Sequence, residues 1–202
     1  MKKLFLVVFS LTINVDSFAA FESTYEPLQS EKVLFINGNI LDGEGNELLD
    51  TDLLIGDGKI IAIGKGIGVE DKDVKIIDAK NKWITPGIID IHSHMGVYPA
   101  PSVRTSSDGN EATSPVTAEV WAEHSMWVQD PQYALALKGG ITTFHVLPGS
   151  ANLIGGRGVT VKNLQRNTIQ SMKYPDAKHS LKMACGENPK RVYGNRGQAP
   201  ST

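Results

Sequence analysis

Hydrophobic and polar positions change rhythm along this chain. Over residues 31–85, short β-rich runs (Val33 to Ile36, Leu53 to Ile55, Lys59 to Ile63 and Val74 to Asp78) alternate with the dipeptides Asn37-Gly38, Asp42-Gly43 and Asp57-Gly58. Asp-Gly or Asn-Gly between apolar runs is a strong hairpin signal, because a type I′ turn needs positive φ at both central residues. The pattern predicts a small β-sheet unit.

From Pro86 the rhythm becomes strand, loop, helix. The run "GIIDIH" (87–92) is nearly continuously apolar, as expected of a strand buried on both faces in a parallel sheet. Residues 96–114 are rich in Pro, Ser, Gly and Asn and read as a long functional or mobile loop. In "DPQYALALKGG" the order Asp130, Pro131 and Gly139 marks N-cap, first helical position and C′ residue of a helix. "ITTFHVLPGS" (141–150) then predicts a second strand, completing a βαβ unit. "GVTVKNL" and "SLKMACGE" read as two further strands, with "LQRNTIQSMKYP" partly helical between them.

The two ends of the pattern add context. Lys2 and Lys3, an apolar run from Leu4 to Leu11 and the small-residue box Ser17-Phe18-Ala19 have the order of a secretory signal peptide over 1–19. The apolar run is too short to span a membrane, so the expected location is periplasmic or secreted, with no membrane contact after cleavage. Residues 20–30 mix charge, Ser and Pro without period and read as a linker.

Composition narrows the chemistry. The 202 residues carry 20 basic and 22 acidic side chains, a formal charge of -2. Such a balance recruits neither nucleic acid nor an anionic surface, which leaves a small-molecule substrate as the expected partner; a homo-oligomer is compatible with it. The single cysteine, Cys185, excludes an internal disulfide framework and a CxxC-type zinc site. Any metal must therefore be held by histidine, carboxylate or a modified lysine.

Of five histidines, two stand in "ITPGIIDIHSHMG" as His92 and His94. Residues i and i+2 of a strand share a face, so both imidazoles project together at a strand's C-terminal end, where parallel α/β folds place their sites. Paired imidazoles suit Zn²⁺ or a similar divalent cation. Asp90, two residues earlier, is either a support for these ligands or a strand-end hydrogen bonder.

"WITPGIIDIHSHMG", preceded by the "NGNILDGEG…LLIGDGKIIAIG" unit, resembles the entry of the amidohydrolase superfamily, in particular its imidazolonepropionase-related branch. "GGITTFHVLPGSANLIGGRGVTVKN" and "LKMACGENPKRVYG" resemble segments of an exported subgroup, so the resemblance covers essentially the whole chain after the leader. It implies a small β-sandwich domain (31–85) beside a (β/α)8 TIM-like barrel beginning at 86. It also implies a bound divalent metal, one or two zinc ions, ligated by His92 and His94. Hydrolysis of a carbon–nitrogen bond by metal-activated water follows from the same likeness, the bond belonging to a non-peptide, cyclic-amide or dipeptide-like substrate.

A barrel of this type takes about 250 residues, and 86–202 provide fewer than half of that. The expectation is therefore an incomplete, truncated barrel, inactive alone, whose general base and remaining ligands lie elsewhere. A non-catalytic metal-binding or interaction protein is the rival reading. Lys182 and Glu187 are both candidates for the family's bridging ligand. His145 and Arg157 are candidates for lining a substrate pocket, Arg157 because a guanidinium pairs bidentately with carboxylate. His124, with Trp121 and Trp127, reads as packing, His179 as exposed, and Cys185 as a small buried side chain.

Overall fold

In a computed structural model, residues 20–202 are described; the expected signal peptide lies outside them. The β-unit forms as a single mixed sheet. Strands β1 (Val33–Leu41), β2 (Glu47–Gly56) and β3 (Lys59–Gly64) make an antiparallel meander, and β4 (Lys75–Asp78) and β5 (Trp83–Ile84) pair in parallel with β1. Asp57 and Gly58 have φ of 50° and 71°, the two left-handed residues that the β2–β3 hairpin requires.

Asn37-Gly38 is not a turn. It lies inside β1, where Asn37 takes φ 60° and the register against β2 shifts between Phe35 and Gly38. The same left-handed tendency that makes Asn-Gly a turn signal here makes a β-bulge. Buried Asp52 holds the bulge: one carboxylate oxygen accepts the Asn37 N–H and the other the Ile67 N–H, each at 3.0 Å. The described residues form a single sheet here, not the two layers expected of a sandwich. Ile60, Ile76 and Trp83 stay 63%, 57% and 53% exposed, because no second layer is supplied by the described residues.

The second part begins with β6 (Ile88–Ser93), continues through a long excursion to α1 (Gln132–Lys138), and returns as β7 (Ile141–Val146) parallel to β6. This is the predicted βαβ unit. Asp130 caps α1 as expected, its carboxylate accepting the Gln132 N–H at 3.0 Å. The left-handed glycine after the helix is Gly140 (φ 87°) rather than Gly139.

Three expectations change. Ile89 and Ile91 of β6 are 61% and 75% exposed instead of buried on both faces. The three-stranded order β6-β7-β9 leaves β6 at an edge with one neighbour, so no flanking strand covers it. The later strands do not continue the parallel rhythm: β9 (Val159–Lys162) runs antiparallel to β7, and β8 (Ile154–Arg157) and β10 (Leu181–Met183) form a separate antiparallel pair. Finally, 164–175 contain turns and no helix. There the Thr168 and Ser171 hydroxyls hydrogen-bond locally, offering the backbone an alternative to helical pairing. Helix α2 (Glu187–Gly194) follows β10.

The core of this part is Val97, Tyr133, Phe144, Val146, Val159, Val161 and Met172. Residues 20–30 have no regular structure, as a linker would, yet they are docked rather than loose. The Thr24 N–H donates to the Gln170 carbonyl at 3.0 Å, Ser23 Oγ to the Lys173 carbonyl at 2.8 Å, and Lys173 Nζ to the Phe21 carbonyl. No helix among the described residues is long and apolar enough to cross a membrane.

Candidate metal centre

His92 sits in the last turn of the β6 pleat and His94 one residue beyond it, with Ser93 between them buried on the opposite side. The two rings stand 5.3 Å apart between centroids and nearly perpendicular, at 83°. His94 Nδ1 donates to the Leu147 carbonyl at 2.9 Å. That fixes its tautomer and leaves the Nε2 lone pair free, the usual support for a metal-binding imidazole. Leu147 itself is tied to β6 by its N–H, which donates to the Ser93 carbonyl at 2.9 Å.

Lys182 of β10 completes the cluster from ninety residues away. Its Nζ donates toward His92 Nε2 at 3.2 Å, and the lysine is only 8% exposed. Burial pushes the Lys182 amine below its ordinary value. The Lys182 ammonium, then burial, then His94 push His92 down in turn. Asp90 makes a local hydrogen bond, its carboxylate accepting the His92 backbone N–H at 3.1 Å.

Glu187 does not join the cluster. It opens α2 with an 81% exposed side chain and pairs with Arg191 at 3.4 Å, one helical turn on. A carboxylate in a first turn is favoured by the helix dipole and an i,i+4 partner. Among the described residues, no three His, Cys, Asp or Glu side chains converge. The donor set on hand is therefore two imidazoles and one amine, which fits part of a divalent-cation site, with coordination left to be completed by other donors.

His145 of β7 lies inward and lines none of the cavities described here. Its Nδ1 is 2.9 Å from Thr160 Oγ1 and its Nε2 2.6 Å from Ser180 Oγ. Burial, then His179 and His92, push it below the usual histidine value, and both ring nitrogens have a hydroxyl partner. Arg157 does line a cavity, one of about 890 Å³, with its guanidinium 4.5 Å over the Trp121 ring. His179 is half-buried rather than exposed: Nδ1 donates to the Gly158 carbonyl at 2.8 Å and the ring meets Trp121 edge-on. Cys185 is exposed rather than buried, because it follows the short β10 into an open turn. His124 packs against Phe21 as well as Trp121, in line with a packing role.

Sequence reasoning missed Ser180, Thr160 and the buried Glu123–Lys173 pair, whose charged atoms lie 2.6 Å apart. It also missed the full use of Asp130, whose carboxylate accepts the Gly96 and Ala100 N–H groups and so anchors the loop leaving His94. The pairing of an acidic N-cap with glycine two residues after an HxH motif is the one cue that could have pointed there.

No family model matches the chain. Over 162 residues, 75% of this chain, it is 35% identical to the amidohydrolase tasK of Hapsidospora irregularis, of which it covers 16%. It is 34% identical over 117 residues to a dihydroorotase of Bacillus cytotoxicus, covering 21% of that protein. Among solved structures, an amidohydrolase from Thermotoga maritima superposes with a TM-score of 0.73 and 41% identity over 84% of this chain and 43% of the other. The chain thus spans less than half the length of these relatives. They bear the names amidohydrolase and dihydroorotase, so the likeness holds at superfamily level and not for one branch. With the HxH strand end in place and a solved amidohydrolase of 41% identity following the same path over 84% of this chain, the chain is similar to proteins of the amidohydrolase superfamily.

Proposed function

We propose that this chain forms part of the active centre of a metal-dependent hydrolase of carbon–nitrogen bonds, and that it does not catalyse hydrolysis by itself. The observation that carries the reading is the approach of Lys182 Nζ to within 3.2 Å of His92 Nε2, beside His94. His92 and His94 would hold a divalent cation, zinc being the best match to imidazole donors. Lys182, which burial holds closer to neutrality, would serve as a further ligand once its neutral amine had added carbon dioxide and released a proton to water, giving a carbamate. When bound, such a cation supplies an activated water and polarises a substrate carbonyl.

The chain's own contribution is orientation. The Leu147 carbonyl holds the His94 ring, Asp130 holds the loop that leaves it, and β10 carries Lys182 across to His92. Substrates are small molecules with a cyclic-amide or dipeptide-like bond, and the protein is exported to the periplasm or beyond. The second reading, a non-catalytic metal-binding or interaction protein, is favoured by one fact: among the described residues no third His, Cys, Asp or Glu reaches the pair.

Equilibrium competition for Zn²⁺ against a chromophoric chelator tests the centre. The purified chain should retain zinc, and the His92→Ala/His94→Ala variant should lose it. Lys182→Gln should weaken retention by about 10- to 100-fold if the lysine takes part, the range seen for supporting groups at metal sites. Unchanged retention in the double histidine variant refutes the assignment, and turnover of a cyclic imide by the chain alone refutes its incompleteness.

A further inference from the structure

Arg157 stands out because the hydrolase reading leaves its geometry unexplained. Arg157 is half-buried, with its guanidinium carbon 4.5 Å from the centre of the Trp121 ring. Among the described residues it makes no side-chain hydrogen bond or ion pair. The stack is built into the backbone: the Arg157 N–H donates to the Val120 carbonyl at 2.7 Å, Trp121 and Arg157 form a parallel bridge, and His179 stands edge-on to the indole with centroids 4.8 Å apart. A guanidinium stacked on an aromatic face keeps its in-plane N–H donors free for a planar acceptor. The face it lines opens into a cavity of about 890 Å³.

Three carboxylates, Asp108, Glu111 and Glu119, also line that cavity, and all three residues are exposed. None of them reaches Arg157 within ion-pair distance. The cavity is thus lined by an unpaired guanidinium on a half-buried residue and by three carboxylates on exposed ones, which we take as its inner wall and its rim. A simple anion would meet the guanidinium at the cost of repulsion from the rim, and a simple cation would leave the guanidinium unused. A molecule bearing both charges satisfies both walls.

We infer that this cavity binds an α-amino acid, free or as the end of a larger molecule. Its carboxylate is held bidentately by Arg157 and its ammonium points to the acidic rim. The site adjoins the histidine centre through one side chain: Asn110 lines both this cavity and a smaller one, of about 380 Å³, bounded by His94 and Tyr98. The inference rests on the hydrolase reading only for where a bound substrate would lead, and not for the binding itself.

The test is tryptophan fluorescence on a Trp83→Phe/Trp127→Phe background, which leaves Trp121 as the only indole among the three tryptophans. L-norvaline should change the signal saturably. L-norvalinamide, lacking the carboxylate, and N-acetyl-L-norvaline, lacking the ammonium, should each bind at least about tenfold more weakly, the scale of one charge-assisted pair. Arg157→Gln should abolish the preference for norvaline over its amide, and Glu111→Gln/Glu119→Gln the preference over the N-acetyl compound. Arg157→Lys, which keeps the charge and loses the fork, gives a second reading and should also bind norvaline more weakly. Both Arg157 variants are compared after circular dichroism confirms the native spectrum. Equal binding of all three compounds, no saturable response, or undiminished binding by both Arg157 variants overturns the inference. Norvaline binding should survive His92→Ala/His94→Ala, so failure of the metal centre and failure of this site are separable.

Discussion

Replacing Lys173 by methionine should be among the most damaging single changes in the chain. Its Nζ lies 2.6 Å from Glu123 Oε2, with side chains 8% and 0% exposed; the next basic group, His124 Nε2, stands 4.0 Å from Oε1, beyond hydrogen-bond reach. Methionine keeps the apolar stem of lysine but leaves a buried carboxylate uncompensated, which costs about 3–5 kcal/mol. The same Nζ also donates to the Phe21 carbonyl, so the substitution frees the segment that docks through Phe21, Ser23 and Thr24. Removing both charges behaves differently. Glu123→Leu/Lys173→Met has no stranded charge and should recover to within about 1–2 kcal/mol of the parent, since a buried pair is often worth little against an apolar replacement. Urea unfolding followed by circular dichroism gives the three free energies, and the cycle isolates the coupling between the sites. Limited proteolysis should show faster cutting at 20–26 in both Lys173→Met variants, because neither restores the donor to Phe21. A Lys173→Met variant within about 1 kcal/mol of the parent would refute the argument, because exposed pairs are worth that little.

Asp52, whose carboxylate is held below its ordinary value first by the Asn37 N–H and then, against the opposing effect of burial, by the Ile67 N–H, should contribute to stability above the unfolded-state carboxylate pKa and lose that contribution as pH falls through the folded-state value. Asp52→Asn should therefore be destabilised at pH 7 and show a shallower acid limb than the parent in urea titrations run from pH 7 to pH 3; parallel curves contradict this. Gly158→Ala would bring a Cβ to 2.6 Å from Leu147 Cδ2 and 2.9 Å from His145 Nε2, so it should lower stability by about 1–3 kcal/mol and shift the His145 ring resonances in NMR spectra. Phe144→Ala, emptying a fully buried site beside Tyr133, should cost about 3–5 kcal/mol in the same unfolding assay.

What was legible in the sequence is what local geometry decides. The hairpin at Asp57-Gly58, the strand ending in His92 and the capped helix after Asp130 each follow from φ preferences and alternation within a few residues. The misreadings arise where a local preference has two outlets or where burial depends on distant chain. Asn37-Gly38 took its left-handed residue into a bulge because Asp52, fifteen residues on, offers a carboxylate to the freed N–H. The isoleucines of β6 are as apolar as a buried strand demands, yet an edge position exposes them. Strand β8 carries Gly155 and Gly156, which weaken any strand signal; its reason is close approach, since a Cβ on Gly156 would come within 2.6 Å of the Val120 carbonyl oxygen.

The contrast between Lys182 and Glu187 shows how far such reading extends to the centre itself. Both stood near the expected strand, five residues apart, and the structure brings only one of them to His92. The cue was present in the residues after Glu187: Pro189 two positions on, tolerated in a first helical turn, and Arg191 at i+4 are the signature of a helix start facing water. Lys182 has no such local partner, and alternates in β10 with the exposed Leu181 and Met183, so its side chain points inward. Its burial beside a second basic group is unfavourable on any purely structural account, because repulsion and lost hydration both oppose it. On the proposed reading, a divalent cation held by His92, His94 and a carboxylated Lys182 would reverse the sign of that interaction. Lys182→Met should accordingly raise the stability of the metal-free chain while lowering its gain in stability on adding zinc; a fall in metal-free stability would mean that the lysine is held there by packing alone.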